Sequence, residues 1–399
     1  MDTDGADVIL NPAELSGLTQ VLGGEDGRLN LLPRPEDAHG EREGSEATWV
    51  GLPAAAETTL RWALSTLKAP TKVMALHTSL ADEVLTRQTF AWPAGNDTDL
   101  AVLNPGAAEG GTATWRVGRR SPFAVRAMVR DTVAVDAGLP VETFNVSLPT
   151  QGVVAFLAII DHLRYARRYA ELIYEPPVVS FTLNDILARL EDAEIDDFRW
   201  PLLFFEKLTP PGALATYHED AMSVGLQALL DAELVECLTE DADPVSDADF
   251  EANADFRSDP DHRYRLLPEG DAIADTFLHE VSKVGFTVSQ CLPGTLAPDG
   301  QVGVGQDIGL LVRGAVRLVL AWVSGRVGTF AFIDAEGLTE LLDATLEAPP
   351  DDAVAASQAS VPAVMKADEI SPSRFCSQCG GRLEPTSRFC SQCGAPVQT

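Results

Sequence analysis

The heptapeptide Arg-Phe-Cys-Ser-Gln-Cys-Gly occurs twice in the tail of this 399-residue chain, at Arg374–Gly380 and Arg388–Gly394. The resulting pattern is Cys376-x2-Cys379-x10-Cys390-x2-Cys393. Each Cys-x-x-Cys turn can place two thiolates on one ion, and the glycine after it can take the positive φ that such a turn needs. Two turns supply four sulfurs, which matches the tetrahedral preference of Zn2+. With cysteine at all four positions no ligand place is left for water or substrate, so the expected ion is structural. The spacer is long enough for a hairpin, with Arg382–Glu384 running out, a turn at Pro385-Thr386, and Ser387–Phe389 returning. About 24 residues bury too little apolar surface to fold alone. Folding here is therefore expected to draw on metal binding, on the order of 10 kcal/mol or more.

This tail resembles the zinc-ribbon module, with its paired Phe-Cys-x-x-Cys-Gly turns. The resemblance spans residues 373–399 and implies Zn2+ held by Cys376, Cys379, Cys390 and Cys393. Ahead of it, residues 347–372 are rich in Ala, Pro, Ser and Asp without an apolar period. That composition reads as a flexible linker with a coil-like reach of about 25–30 Å.

The middle of the chain, residues 151–270, is organised by Gly225–Leu278. Met222, Leu226, Leu229 and Leu230 recur at helical spacing. Two short apolar strands, Val235–Leu238 and Tyr264–Leu267, enclose an acidic tip at Thr239–His262, expected to be solvated and mobile. Pro268-Glu269-Gly270 breaks the second strand. A helix at His218–Glu233 followed by a two-stranded wing resembles a winged helix. A long helix at Gly152–Ile173 precedes it, and Thr182 with Asp185 forms a capping-box start to Leu183–Leu190.

On either side the element order repeats. Residues 1–150 give a short helix at Pro12–Leu22, an acidic loop at Pro35–Ala47 and a helix at Ala55–Leu67. Strands are then expected at Lys72–Leu80, Val84–Trp92, Leu100–Leu103 and Thr114–Val117, before a helix with Ser121 as its cap and Pro122 at its first position. Residues 271–346 give a helix face through Ile273, Phe277, Val281 and Val284. Strands follow at Phe286–Cys291, Ile308–Val312, Val316–Val323 and Val327–Ile333, and then a helix capped by Asp334. Four successive strands with short turns make an antiparallel sheet with helices on it. The expected fold class is therefore α+β: two helix–antiparallel sheet–helix arms around a winged-helix-like centre, plus a C-terminal zinc ribbon.

Charge bears on function. The chain holds 60 Asp and Glu against 29 Lys and Arg, a formal net charge of −31. Residues 151–280 carry 28 acidic and 9 basic side chains, and His218–Glu233 contains neither Lys nor Arg. DNA docking draws on several cationic contacts to phosphate, so nucleic acid is disfavoured and protein partners are expected. Arg116, Arg119 and Arg120, and likewise Arg164, Arg167 and Arg168, are expected to pair with nearby carboxylates. The longest apolar run, Val153–Ile160, is far short of the about 20 residues a membrane span needs, so no membrane insertion is expected. Cys237 and Cys291 are isolated and read as buried small hydrophobes in a reducing cytoplasm. The six histidines (39, 77, 162, 218, 262, 279) are scattered, and neither Gly-x-Ser-x-Gly nor a phosphate loop occurs. The chain is expected not to be an enzyme.

One further resemblance covers the body. Asn11-Pro12-Ala13-Glu14-Leu15, then Val21-Leu22-Gly23, and the passage Trp115…Pro122-Phe123 are similar to the substrate-chaperone family of actinobacterial type VII secretion. That resemblance implies binding of a secreted protein substrate. The expected function is a non-catalytic zinc-binding adaptor or chaperone-like scaffold; the alternative is a winged-helix transcription regulator.

Overall fold

The computed structural model describes residues 7–22, 29–32, 53–80, 86–94, 97–109, 112–135, 139, 144–191, 200–209, 213–238, 262–296, 302–347, 374–375 and 382–383. The acidic loop at 35–47, the wing tip at 239–261 and the linker at 348–372 lie outside them. The chain divides into two compact units, Met1–Ala359 and Ser360–Thr399.

The first unit begins with β1 (Val8–Leu10), α1 (Pro12–Leu22) and α2 (Ala54–Lys68). Strands β2 (Lys72–Leu80), β3 (Thr86–Trp92), β4 (Leu100–Glu109) and β5 (Thr112–Arg120) follow, closed by α3 (Pro122–Thr132). Then come β6 (Asn145–Pro149), α4 (Thr150–Ile173), β7 (Ser180–Phe181), α5 (Leu183–Glu191), α6 (Pro201–Leu208), α7 (Glu219–Asp231), β8 (Val235–Leu238), β9 (Arg263–Leu266) and α8 (Pro268–Leu278). The last stretch is β10 (Ser282–Leu296), β11 (Val302–Arg313), β12 (Leu318–Ser324), β13 (Val327–Phe332) and α9 (Ala335–Leu346).

The helix starts follow local chemistry. Asn11 and Glu14 exchange reciprocal bonds of 2.8 Å at the head of α1. Ser121 Oγ accepts from the Ala124 N–H at 3.2 Å. Thr182 and Asp185 form the expected box, at 2.8 and 3.2 Å. Asp334 Oδ1 accepts from Glu336 and Gly337. Each satisfies donors that a helix cannot satisfy internally.

Both arms are present, and their sheets are continuous. One ten-stranded sheet runs β1-β5-β4-β3-β2-β10-β11-β12-β13-β6, with β2 and β10 antiparallel from Lys72↔Gln290 to Leu80↔Ser282. Pairing these two strands removes two sheet edges that would otherwise be open to other chains. From this seam outward the halves match: four strands in chain order, a short strand from before the helices on the outer edge, and a helix after the fourth strand. The second half carries the winged-helix centre where the first carries α1 and α2.

Helices cover both faces. On one, α3 and α9 lie across the seam, with Val125, Val129, Leu338 and Leu342 on Met74, Leu76, Phe90 and Phe286. On the other, α1 and α2 pack Leu15, Leu60, Leu64 and Leu67 on Ala91, Ala101, Leu103 and Val117. The centre packs Val153, Phe156 and Ile160 on Leu310, Val319, Ala321 and Phe330. Gly309 permits the seam's packing: a Cβ there would meet the Phe286 ring at 2.2 Å.

Four expectations are corrected. α8 ends at Leu278, so Val281 and Val284 lie outside it; Val284 is in β10, because β10 from Ser282 pairs on both sides. Pro268 does more than break a strand, since it is the first residue of α8. β4 and β5 run past their apolar windows, because the ladder between them continues through Pro105↔Trp115 to Glu109↔Thr112. The strands β1, β6 and β7 and the helix α6 were not expected; the three strands are too short to show a period.

Candidate functional site

In the tail, the strands β14 (Arg374–Phe375) and β15 (Arg382–Leu383) pair antiparallel, Arg374↔Leu383 and Phe375↔Arg382. Arg382 and Leu383 thus pair back across the first Cys-x-x-Cys, and the ladder brackets Cys376 and Cys379 in sequence; the returning stretch expected at Ser387–Phe389 lies outside the described residues. The four cysteines themselves lie outside the described residues. Four thiolates suit a tetrahedral soft ion.

The centre has winged-helix connectivity. The order α4–β7–α5–α7–β8–β9 forms a three-stranded sheet β7-β9-β8, so the short first strand pairs with the last, and α6 is inserted before α7. Val235↔Leu266 through Leu238↔Arg263 sets the wing's register. α7 buries Met222, Gly225, Leu226 and Leu229. Gly225 sits against α4, where a Cβ would come within 2.4 Å of the Gln151 carbonyl oxygen. Outward, α7 exposes Glu219, Asp220, Val224 and Asp231 and presents no cation.

A buried charged joint fastens this centre to the sheet. Asp161 on α4 is fully buried, and its Oδ2 accepts from the Leu202 N–H at 3.0 Å, capping α6 from another helix. Burial pushes its carboxyl up to about 7, opposed by the Leu202 bond and by the Arg164, Lys283 and Arg189 cations. Arg164 Nη2 donates to the Phe277 carbonyl at 2.6 Å and stands 3.6 Å from Glu280. Lys283 Nζ, from β10, donates to Glu280 at 2.8 Å, and burial lowers its pKa. No sequence pattern announced this group, because its members come from α4, the α8–β10 turn and β10 itself.

The expected arginine pairings hold in part. Arg119 binds Asp97 and Asp99, and Arg120 binds Asp7. Arg168 lies 5.7 Å from the Trp200 ring centre, and Arg116 is exposed. Cys291 is buried and Cys237 half-buried. His77 is buried, and desolvation with the nearby Arg87 holds its imidazole down at about 4; burial also lowers His162. Among the described residues no three His, Cys, Asp or Glu side chains gather as metal ligands.

Residues 375–397 match the family model of the zinc-ribbon domain. No curated protein matches the chain. Among solved structures, the chain is weakly similar to the Mycobacterium tuberculosis type VII secretion system chaperone EspG5, determined in complex with a PE25–PPE41 dimer. The two are 12% identical over 87% of this chain and 99% of that chain, with a TM-score of 0.35.

Proposed function

We propose that this chain is a non-catalytic zinc-binding adaptor working in the cytoplasm. Its body holds a protein partner, and its ribbon makes a second contact. The zinc-ribbon match at 375–397 carries the reading: a closed four-cysteine set in a unit compact apart from the body. Cys376, Cys379, Cys390 and Cys393 are the proposed ligands of Zn2+, whose role would be to tie the two turns into one fold. A ribbon joined to the body raises the effective concentration for a second contact once the first is made. A narrower form, a substrate chaperone in specialised secretion, rests on the residues around Asn11–Leu15 and Trp115–Phe123. It calls for a substrate made of paired helices.

The test is native mass spectrometry of the complex isolated from the chain's own cells. One zinc per chain and a protein partner retained by the body support the proposal. Turnover of a metabolite by the purified chain, or isolation of the chain alone, overturns it.

The winged-helix connectivity favours one second reading, a transcription regulator. The cation-free outer face of α7 opposes it, since affinity for DNA comes largely from phosphate neutralisation. Salt-dependent binding to a defined duplex would establish this second reading in place of the first.

A further inference from the structure

The last turns of α4 leave the body. Up to Arg164 the helix is largely buried, but from Tyr165 onward one stripe is open: Tyr165 is 46% exposed, Tyr169 53% and Leu172 77%. Their spacing of four and three residues is that of a helix-pairing seam. Tyr165 and Tyr169 stack with ring centres 6.3 Å apart, so the seam is already ordered. Tyr174, in the left-handed region at φ 59°, ends the helix 96% exposed, and the chain returns through the exposed Val178 and Val179. With about 150–250 Å2 for a fully exposed aromatic side chain, the three tyrosines alone present on the order of 400 Å2 of surface. The largest apolar patch on a typical monomer is about 300–600 Å2. The aliphatic neighbours bring this one toward the roughly 800 Å2 per partner of a stable interface.

Charge along the stripe indicates what covers it. Arg167 and Arg168 stand at its start, Glu171 and Glu175 at its end. Laid antiparallel on itself, the stripe sets Tyr169 against Leu172 of the second copy and Arg168 beside Glu175 of the second copy. A surface that complements itself under a two-fold rotation is what an isologous contact requires. We propose that this face of α4, with the Glu175–Val179 return, is a homodimer interface in which the two α4 ends pack antiparallel about a two-fold axis. The apolar seam supplies the affinity, and the Arg168–Glu175 pairs set the orientation.

Sedimentation equilibrium of the full chain between about 1 and 100 μM, concentrations at which an interface of this size commonly associates, tests this. The wild type is expected to reach twice the monomer mass. Leu172→Glu, at an exposed position, is expected to stay monomeric with an unchanged circular dichroism spectrum. Arg168→Glu is expected to weaken the dimer about tenfold or more, and Arg168→Glu with Glu175→Arg to restore it. A wild type at monomer mass throughout, a Leu172→Glu dimer, or a charge-swapped chain that fails to recover overturns the proposal.

Discussion

Lys72 Nζ stands 2.6 Å from the carbonyl oxygen of Thr345, so the first seam strand of one half caps the closing helix of the other. The same ammonium donates to the Glu347 carbonyl at 3.0 Å, and Trp92 Nε1 reaches the Leu346 carbonyl at 3.4 Å. α9 has no basic residue in its last turn. Three of the carbonyls its end leaves unpaired are thus satisfied by residues more than 250 positions away in sequence.

Lys72→Met keeps the stem over Trp92 and removes the donors. Leaving buried carbonyls unpaired costs about 1–3 kcal/mol. The urea midpoint is expected to fall with an unchanged slope; an unchanged midpoint would show that water replaces the ammonium without loss.

Asp161 makes stability depend on pH in a definite direction. Its carboxyl titrates at about 7 when folded against an ordinary 3.8, so between those values the folded chain keeps a proton that the unfolded chain has lost. This contribution is absent below about 4, destabilises progressively as pH rises, and is fully unfavourable above about 7. Asp161→Asn keeps an oxygen for the Leu202 N–H and removes the titration. Its melting temperature relative to wild type is expected to rise from pH 4.5 to 7.5, and a difference that stays constant would contradict the assignment.

Gly225→Ala would force a methyl to within 2.4 Å of the Gln151 carbonyl oxygen, in the backbone of α4. Neither helix can yield locally, so α7 must shift. Overpacking of this kind costs about 1–3 kcal/mol. Hydrogen exchange should rise in α7 and the wing strands and stay unchanged in β2 and β3; an even rise throughout would show that the centre does not loosen by itself.

Replacing Cys376, Cys379, Cys390 and Cys393 by serine is expected to abolish zinc binding, measured by atomic emission on dialysed protein. The melting temperature of the body should not move, because Met1–Ala359 is a compact unit of its own. A body that unfolds with the metal would show that it depends on the ribbon.

The sequence was most legible where its signals are local. The starts of α3, α5 and α9 are announced by Ser121, Thr182 and Asp334, each acting within three residues. The wing strands and most of the ten-stranded sheet could be read from apolar runs. The zinc-ribbon pattern needs no structure to be recognised, since a metal's demands are written in spacing. The buried joint was not legible: Asp161 is one acid among 60 until Leu202, Arg164 and Lys283 are brought to it.

The run of four strands and a closing helix in each half, the absence of Lys and Arg from α7 and the four-thiol donor set were determined by sequence alone, because they depend on neighbours a few residues apart. Whether two arms make two sheets or one was decided only in three dimensions. Leu76 opposite Phe286 and Lys72 under Thr345 join positions more than 200 residues apart. Such pairings are selected by which strand edges and helix ends remain unsatisfied once everything local has formed, a choice no short window of residues contains.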